Sequence, residues 1–301
     1  MTDSPHCDAT PLSRLGENAV LARLLPLMPA HADLLTGPGD DCAVVRRNEE
    51  WDTLLKTDVV VEGIHFTRDT APERIGRKAL ARAVSDIAAM GGLPEHALVT
   101  LLVHPSRPIG LAEGIYRGIH ALATEFGISV AGGETSSLPY DGLVINVALT
   151  GKTERGTAVL RSGGRAGDLL YVSGVLGGSF ESGHHLDFTP RVQTARALKA
   201  AGITPTAMMD LSDGLATDLP RLAAASRCGF ELDAALLPCR KGCSTEQALT
   251  DGEDYELLLA LPPAAAQRLA DFVSDCPLTC IGKLTETGCS DLGCGWQHFA
   301  R

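Results

Sequence analysis

The chain of 301 residues is poor in aromatic side chains, which make up 4% of it and include two tryptophans. Its cores must therefore be aliphatic, and a hydrophobic share of 45% supplies them. No apolar run approaches the roughly 18 residues of a membrane span. The opening "MTDSPHCDATPLSRLGE" lacks the basic and then apolar regions of a secretion signal, so a cytoplasmic location is expected. Positive charge is scarce: a net charge of −11 argues against nucleic acid or an anionic membrane as a partner. An anionic substrate would need a cation between itself and this protein, and metal ions are the first candidate. There is no GxxxxGK[ST] phosphate loop and no protein-kinase motif set, and "SGVLGGS" (Ser173 to Ser179) is glycine-rich without being GxGxxG. The nine cysteines form no tight zinc knuckle. Cys239/Cys243, Cys276/Cys280 and Cys289/Cys294 have three or four residues between them and no His partner, so reduced thiols are expected.

Short apolar runs alternate with helical patterns along the whole chain. Strands are expected in "TLLKTDVVVEG", "HALVTLLV", "ISVAGGET" and "LVINVALTG". Helices are expected over Pro72 to Gly92, with Ile75, Ala79, Ala83, Ile87 and Met90 on one face, and over Ile109 to Gly127. The second half restarts with strands "GDLLYVSG", "TAMMDLSDG", "GFELDAALLP", "DYELLLALP" and "LTCIGKLTE". Helices "VQTARALKAAG", "LATDLPRLAAASRCG" and "AAAQRLADFVSD" lie among them. The fold class is α/β (α+β) in two similar halves, 1–153 and 154–301, joined through the polar, glycine-rich "TERGTAVLRSGGRAGD".

Six carboxylates stand in apolar or glycine-rich surroundings: Asp41 in "TGPGDDCAVV", Asp58 in "LLKTDVVV", Asp86 in "AVSDIAAM", Glu134 after Gly132-Gly133, and Asp210 and Asp213 in "MMDLSDG". Each has an ordinary explanation. Asp41 suits a turn, Asp58 an outward position beside Lys56, Asp86 a solvated face beside Arg82, and Asp213 a helix cap. The alternative is one shared site, where strand ends and glycine loops bring oxygen ligands to hard cations. Magnesium is usually shared between carboxylates and substrate phosphates. On that reading the glycines of "TGPGDDCAVV" let Asp41 reach a metal, while Asp40 points the other way.

The ordered set "GDDCAVV", "KTDVVVEGIHF", "KALARAVSDIAAMGGLP", "VAGGET", "LRSGGRAGDLLYVSG", "MMDLSDGLATDL" and "DGEDYELLL" resembles bacterial thiamine-monophosphate kinase, from about Leu15 to the C-terminus. That family belongs with aminoimidazole-ribonucleotide synthetase and selenophosphate synthetase. The resemblance implies an N-terminal domain that dimerises through its sheet, a C-terminal α/β domain, and ATP in the cleft with several Mg²⁺. By position, Asp41, Thr57, Asp58, Asp86, Glu134, Asp210 and Asp213 would be metal ligands. Tyr116, Gly133, Arg161 and Ser212 would contact ATP, and His65, Glu253 and Trp296 the thiamine phosphate. Two positions depart from the family: Glu134 stands where an aspartate is usual, and Lys56 where a hydroxyl is usual, so that an ammonium would replace one metal ion. The segment from Pro238 to Glu253 is also short. The implied reaction is transfer of the ATP γ-phosphoryl group to thiamine monophosphate, with no general base assigned. The rival readings are a sister enzyme using another phosphorylated acceptor, and a nucleotide-binding protein whose metal set is eroded.

Overall fold

The computed structural model describes residues 9–274 and 276–293. Its first half contains α1 (Glu17–Leu24), β1 (Leu34–Thr36), β2 (Ala43–Arg46), β3 (Trp51–Val61), α2 (Pro72–Ala89), β4 (Leu93–Val103), α3 (Ile109–Phe126), β5 (Ser129–Ser137) and β6 (Leu143–Glu154). The strands form a six-stranded sheet in the order β1-β2-β3-β6-β4-β5, antiparallel except for the parallel edge pair β4/β5. β6 alternates buried and half-buried residues along its whole length, the pattern of a sheet with one covered face. The cover is α2, with α3 packed on α2. The two helices meet so closely that a Cβ on Gly76 would lie 1.9 Å from the Ile115 carbonyl, and one on Gly118 would lie 1.9 Å from the Glu73 carbonyl.

The second half contains β7 (Leu169–Ser173), α4 (His184–Asp187), α5 (Val192–Ala200), β8 (Ala207–Asp210), α6 (Leu215–Ala225), β9 (Gly229–Leu232), α7 (Thr245–Thr250), β10 (Leu257–Leu261), α8 (Pro263–Gln267) and β11 (Leu278–Thr285). Its sheet runs β8-β10-β7-β11-β9, with every pairing antiparallel. Leu258 and Ala260 of β10 join one core with Leu219 and Leu222 of α6. Leu257, Leu259 and Leu261 join another with Ala195 and Leu198 of α5. Both faces of β10 are thus covered, which explains its uninterrupted apolar run.

The expected elements are present, with shifted ends. "DYELLLALP" begins its strand only at Leu257, because Glu253 and Tyr255 both take left-handed backbone angles (φ 52 each). "GFELDAALLP" leaves its strand at Leu232. "AAAQRLADFVSD" shortens to α8 and a 3₁₀ turn, Arg268–Asp271. No helix among the described residues is long and apolar enough to cross a membrane.

Candidate metal centre and adjoining clefts

Three of the carboxylates converge. Asp41, Asp86 and Asp210 are buried, and one oxygen of each lies within 4.8 Å of the others. They arrive from three elements: the loop before β2, the last turn of α2, and the end of β8. The loop turns at Gly39 (φ 126), a conformation open to glycine and costly for other residues. Asp41 Oδ1 accepts from Arg161 Nη2 at 2.5 Å, while Asp41 Oδ2 is buried without a hydrogen-bond partner. Asp40 turns aside, its Oδ1 accepting from the Arg161 backbone N–H at 2.5 Å. Both aspartates of the loop therefore hold Arg161, which crosses from the second half.

Lys56 donates to Asp86 Oδ1 at 2.8 Å, and the Ser85 hydroxyl donates to Asp210 Oδ2 at 2.6 Å. Burial pushes the Asp210 carboxyl up to about 6, with Asp41 adding to the effect. Burial also drives Asp86 well above the ordinary carboxylate range, against the pull of Lys56. A buried carboxylate with an orphaned oxygen beside two others fits a hard cation, which would give that oxygen the partner it lacks.

The partners of Asp58 and Asp86 are exchanged relative to the sequence reading. Lys56 serves Asp86, and Arg82 pairs with Asp58 at 3.2 Å. Lys56 and Asp58 share the inner face of β3 with buried Leu54 and Val60. Thr57 lies on the opposite face, where its hydroxyl donates to Asn146 Oδ1 at 3.0 Å. Glu134 sits on the exposed edge strand β5, its carboxylate accepting from the Thr135 N–H. The side chains of Thr57 and Glu134 are therefore not brought to the three aspartates within this chain. Gly133 is where β5 crowds β4: a Cβ there would lie 1.8 Å from the Val99 carbonyl. Tyr116 stands half exposed on α3.

Asp213 lies beside the cluster, paired with Arg221, and two clefts share it. One is lined by His65, Arg82, Phe180, Ser212, Asp213, Glu253 and Tyr255 among others. The other is lined by Asn18, Gly39, Arg161, Asp213 and Arg221. His65 Nδ1 accepts the Val61 N–H at 3.0 Å, so a neutral ring carries its proton on Nε2. Trp296 lies outside the described residues.

Several buried groups around these clefts were not singled out from sequence. Lys78 is fully buried, between the His65 carbonyl at 2.6 Å and Glu253 Oε2 at 2.5 Å. Burial lowers its ammonium to about 8, with Glu253 opposing. Asp218 receives the N–H groups of Ser212 and Asp213, both at 3.0 Å, and so shapes the turn that carries them. Burial, then Asp213, push its carboxyl up to about 8. In "SGVLGGS" the loop N–H groups are already taken by carboxylates: Gly177 donates to Asp254 and Gly178 to Asp251. That glycine-rich loop is an internal brace.

Comparison with known proteins agrees with this architecture. Residues 39–153 match the family described as AIR synthase related protein, N-terminal domain, and residues 159–294 match its C-terminal domain. The chain is 35% identical to a Rhodopirellula baltica protein named thiamine-monophosphate kinase, over 89% of each chain. It is 32% identical to the Escherichia coli K12 protein of the same name, over 90% of each. A solved structure described as AaThiL complexed with AMPPCP and TMP superposes with a TM-score of 0.85 at 30% identity, covering 97% of this chain and 100% of that one.

Proposed function

Since the chain belongs to the thiamine-monophosphate kinases of the AIR synthase related family, we propose that it transfers the γ-phosphoryl group of ATP to thiamine monophosphate, giving thiamine diphosphate and ADP. The observation that carries this reading is the convergence of Asp41, Asp86 and Asp210, with the orphaned Asp41 Oδ2, beside Asp213, which both clefts share. The cleft with Arg161 and Arg221 takes the nucleotide, and the cleft with His65, Glu253 and Tyr255 takes the acceptor. Ser212 lines the acceptor cleft, so a nucleotide contact from it would be made at the junction of the two.

Asp41, Asp86 and Asp210 would hold Mg²⁺, with Asp58 and Asp213 the nearest reserves. When bound, Mg²⁺ supplies charge neutralisation for the phosphoryl oxygens. Lys56 already neutralises Asp86, so fewer ions are needed than the acidic residues alone suggest. The acceptor phosphate has its second pKa near 6 and is largely ionised at neutral pH, so the chain needs no general base. Its task is to hold two polyanions in line and to keep water out. Arg161, fixed by both aspartates of the Gly39 loop, is placed to orient the nucleotide phosphates.

In this proposal residues 1–153 carry metal binding and dimerisation, and 154–301 complete the nucleotide and acceptor sites. The enzyme works in the cytoplasm as a homodimer. The uncovered sheet face, with Leu55, Val59 and Leu98 exposed, supports the dimer. Thr57 and Glu134 would then act at or near that interface, while Gly133 and Tyr116 would contact ATP. Incubation with ATP, Mg²⁺ and thiamine monophosphate, followed by chromatography, tests the reading. Thiamine diphosphate should form. ATP turnover only with another phosphorylated acceptor would indicate a sister enzyme, and nucleotide binding without any turnover a non-catalytic relative.

A further inference from the structure

Lys78 is among the largest fully buried side chains of the protein, and it is a cation. It projects from α2 in the first domain, and its ammonium has two partners. The His65 carbonyl belongs to the same domain, while Glu253 Oε2 comes from the second. Both partner residues line the acceptor cleft. Burying an ammonium is costly, and an apolar chain of similar volume would stabilise the fold as well or better. Stability alone does not account for it.

Glu253 is also unusual. It follows Gly252 (φ 70) and, like Tyr255, has a left-handed backbone at a non-glycine position. Such strain persists only where the surroundings over-determine it. Here the Ser212 carbonyl accepts the Glu253 N–H and the Leu211 carbonyl accepts the Tyr255 N–H, both at 2.8 Å. The Asp254 carboxylate is tied to the Gly177 N–H and the Ser179 hydroxyl, and Lys78 holds the Glu253 side chain itself. With Oε2 on Lys78, Oε1 has a 3.4 Å contact from the Tyr255 hydroxyl at the cleft wall. Phe180, 48% exposed, lines the same cleft.

We propose that Lys78 is a positioning residue for the acceptor: it locks Glu253 and the His65 loop together across the domain boundary, so that Glu253 Oε1 meets the cationic heterocycle of the acceptor. The inference rests on the proposed function, because it needs an acceptor with a positively charged ring. A carboxylate already fixed in orientation loses less freedom on binding than a mobile one. Lys78 therefore acts on acceptor affinity, through Glu253, and leaves the nucleotide side alone.

Steady-state kinetics of Lys78→Met, Glu253→Gln and the double variant test this. Each single variant should raise KM for thiamine monophosphate about tenfold or more. KM for ATP and the Mg²⁺-induced rise in Tm should stay within about twofold of wild type. The double variant should be no worse than Glu253→Gln alone, since the two residues act as one unit. An unchanged acceptor KM, equal rises for both substrates, or effects that multiply would overturn the proposal. Should Lys78→Met fail to fold, Lys78→Gln keeps a donor in a similar volume and is read by the same split. A wild type with no turnover of thiamine monophosphate would overturn the functional reading and this proposal together. Wild-type turnover with an indifferent Lys78 variant would overturn this proposal alone.

Discussion

Asp210 shows at the scale of one residue what the centre costs and what it is for. In the metal-free fold its carboxyl lies beside Asp41 and Asp86, inside the protein, and burial is the first cause of its raised pKa. Replacing it by Asn removes like-charge repulsion while keeping the shape. Asp210→Asn should therefore fold with a metal-free Tm at or above wild type, and Asp86→Asn should also fold. Turnover should fall on the order of 10³-fold or more in both, and the rise in Tm on adding Mg²⁺ should disappear in thermal melts. The pH dependence follows with a definite sign. The Asp210 carboxyl titrates near 6 in the fold against 3.8 ordinarily, so the folded state binds its proton more tightly. That contribution to stability is full below about pH 4 and is lost as pH rises through about 6. Melts without metal should show wild type losing more Tm than Asp210→Asn across this window. The Mg²⁺-induced rise in Tm should grow across the same window, because the metal displaces that proton.

α2 does the most at the scale of an element. Arg74, Lys78, Arg82 and Asp86 recur every four residues and form one stripe along it. Arg74 reaches Asp187, Lys78 reaches Glu253, Arg82 reaches Asp58, and Asp86 reaches Lys56. The spacing is plain in the sequence, yet an isolated reading makes such a stripe a solvated face. The second domain covers it, and no local pattern announces that. The same limit hid Asp218, whose function is to hold the turn of Ser212 and Asp213. Thr57 and Asp58, being adjacent on β3, present side chains to opposite faces. The convergence of Asp41, Asp86 and Asp210 was legible because each stands in apolar or glycine-rich surroundings. The distances between them depend on loops that sequence does not measure. α2 is held in place by its close contact with α3, where Gly118 leaves no room for a Cβ against the Glu73 carbonyl. Gly118→Ala should destabilise the protein by about 1–3 kcal/mol. Denaturant titration checks this, with turnover falling as α2 shifts.

The molecule as a whole has one sheet with both faces covered and one with a bare face. Leu55, Val59 and Leu98 are exposed there beside the wholly exposed edge strand β5, a combination that favours pairing with another chain. Light scattering after size exclusion should give twice the monomer mass, and Leu98→Asp should shift the protein towards monomer. The two domains meet along the α2 stripe, and Asp213, three residues beyond Asp210, lines both clefts. In the proposed function, phosphoryl transfer takes place between two anions held from opposite sides. The most direct test supplies ATP labelled in its γ-phosphate together with thiamine monophosphate and Mg²⁺. The label should appear in thiamine diphosphate, one equivalent per ADP formed, and should fail to appear with Asp210→Asn. ADP released with the label left in inorganic phosphate, or labelled thiamine diphosphate formed equally well by Asp210→Asn, would contradict it.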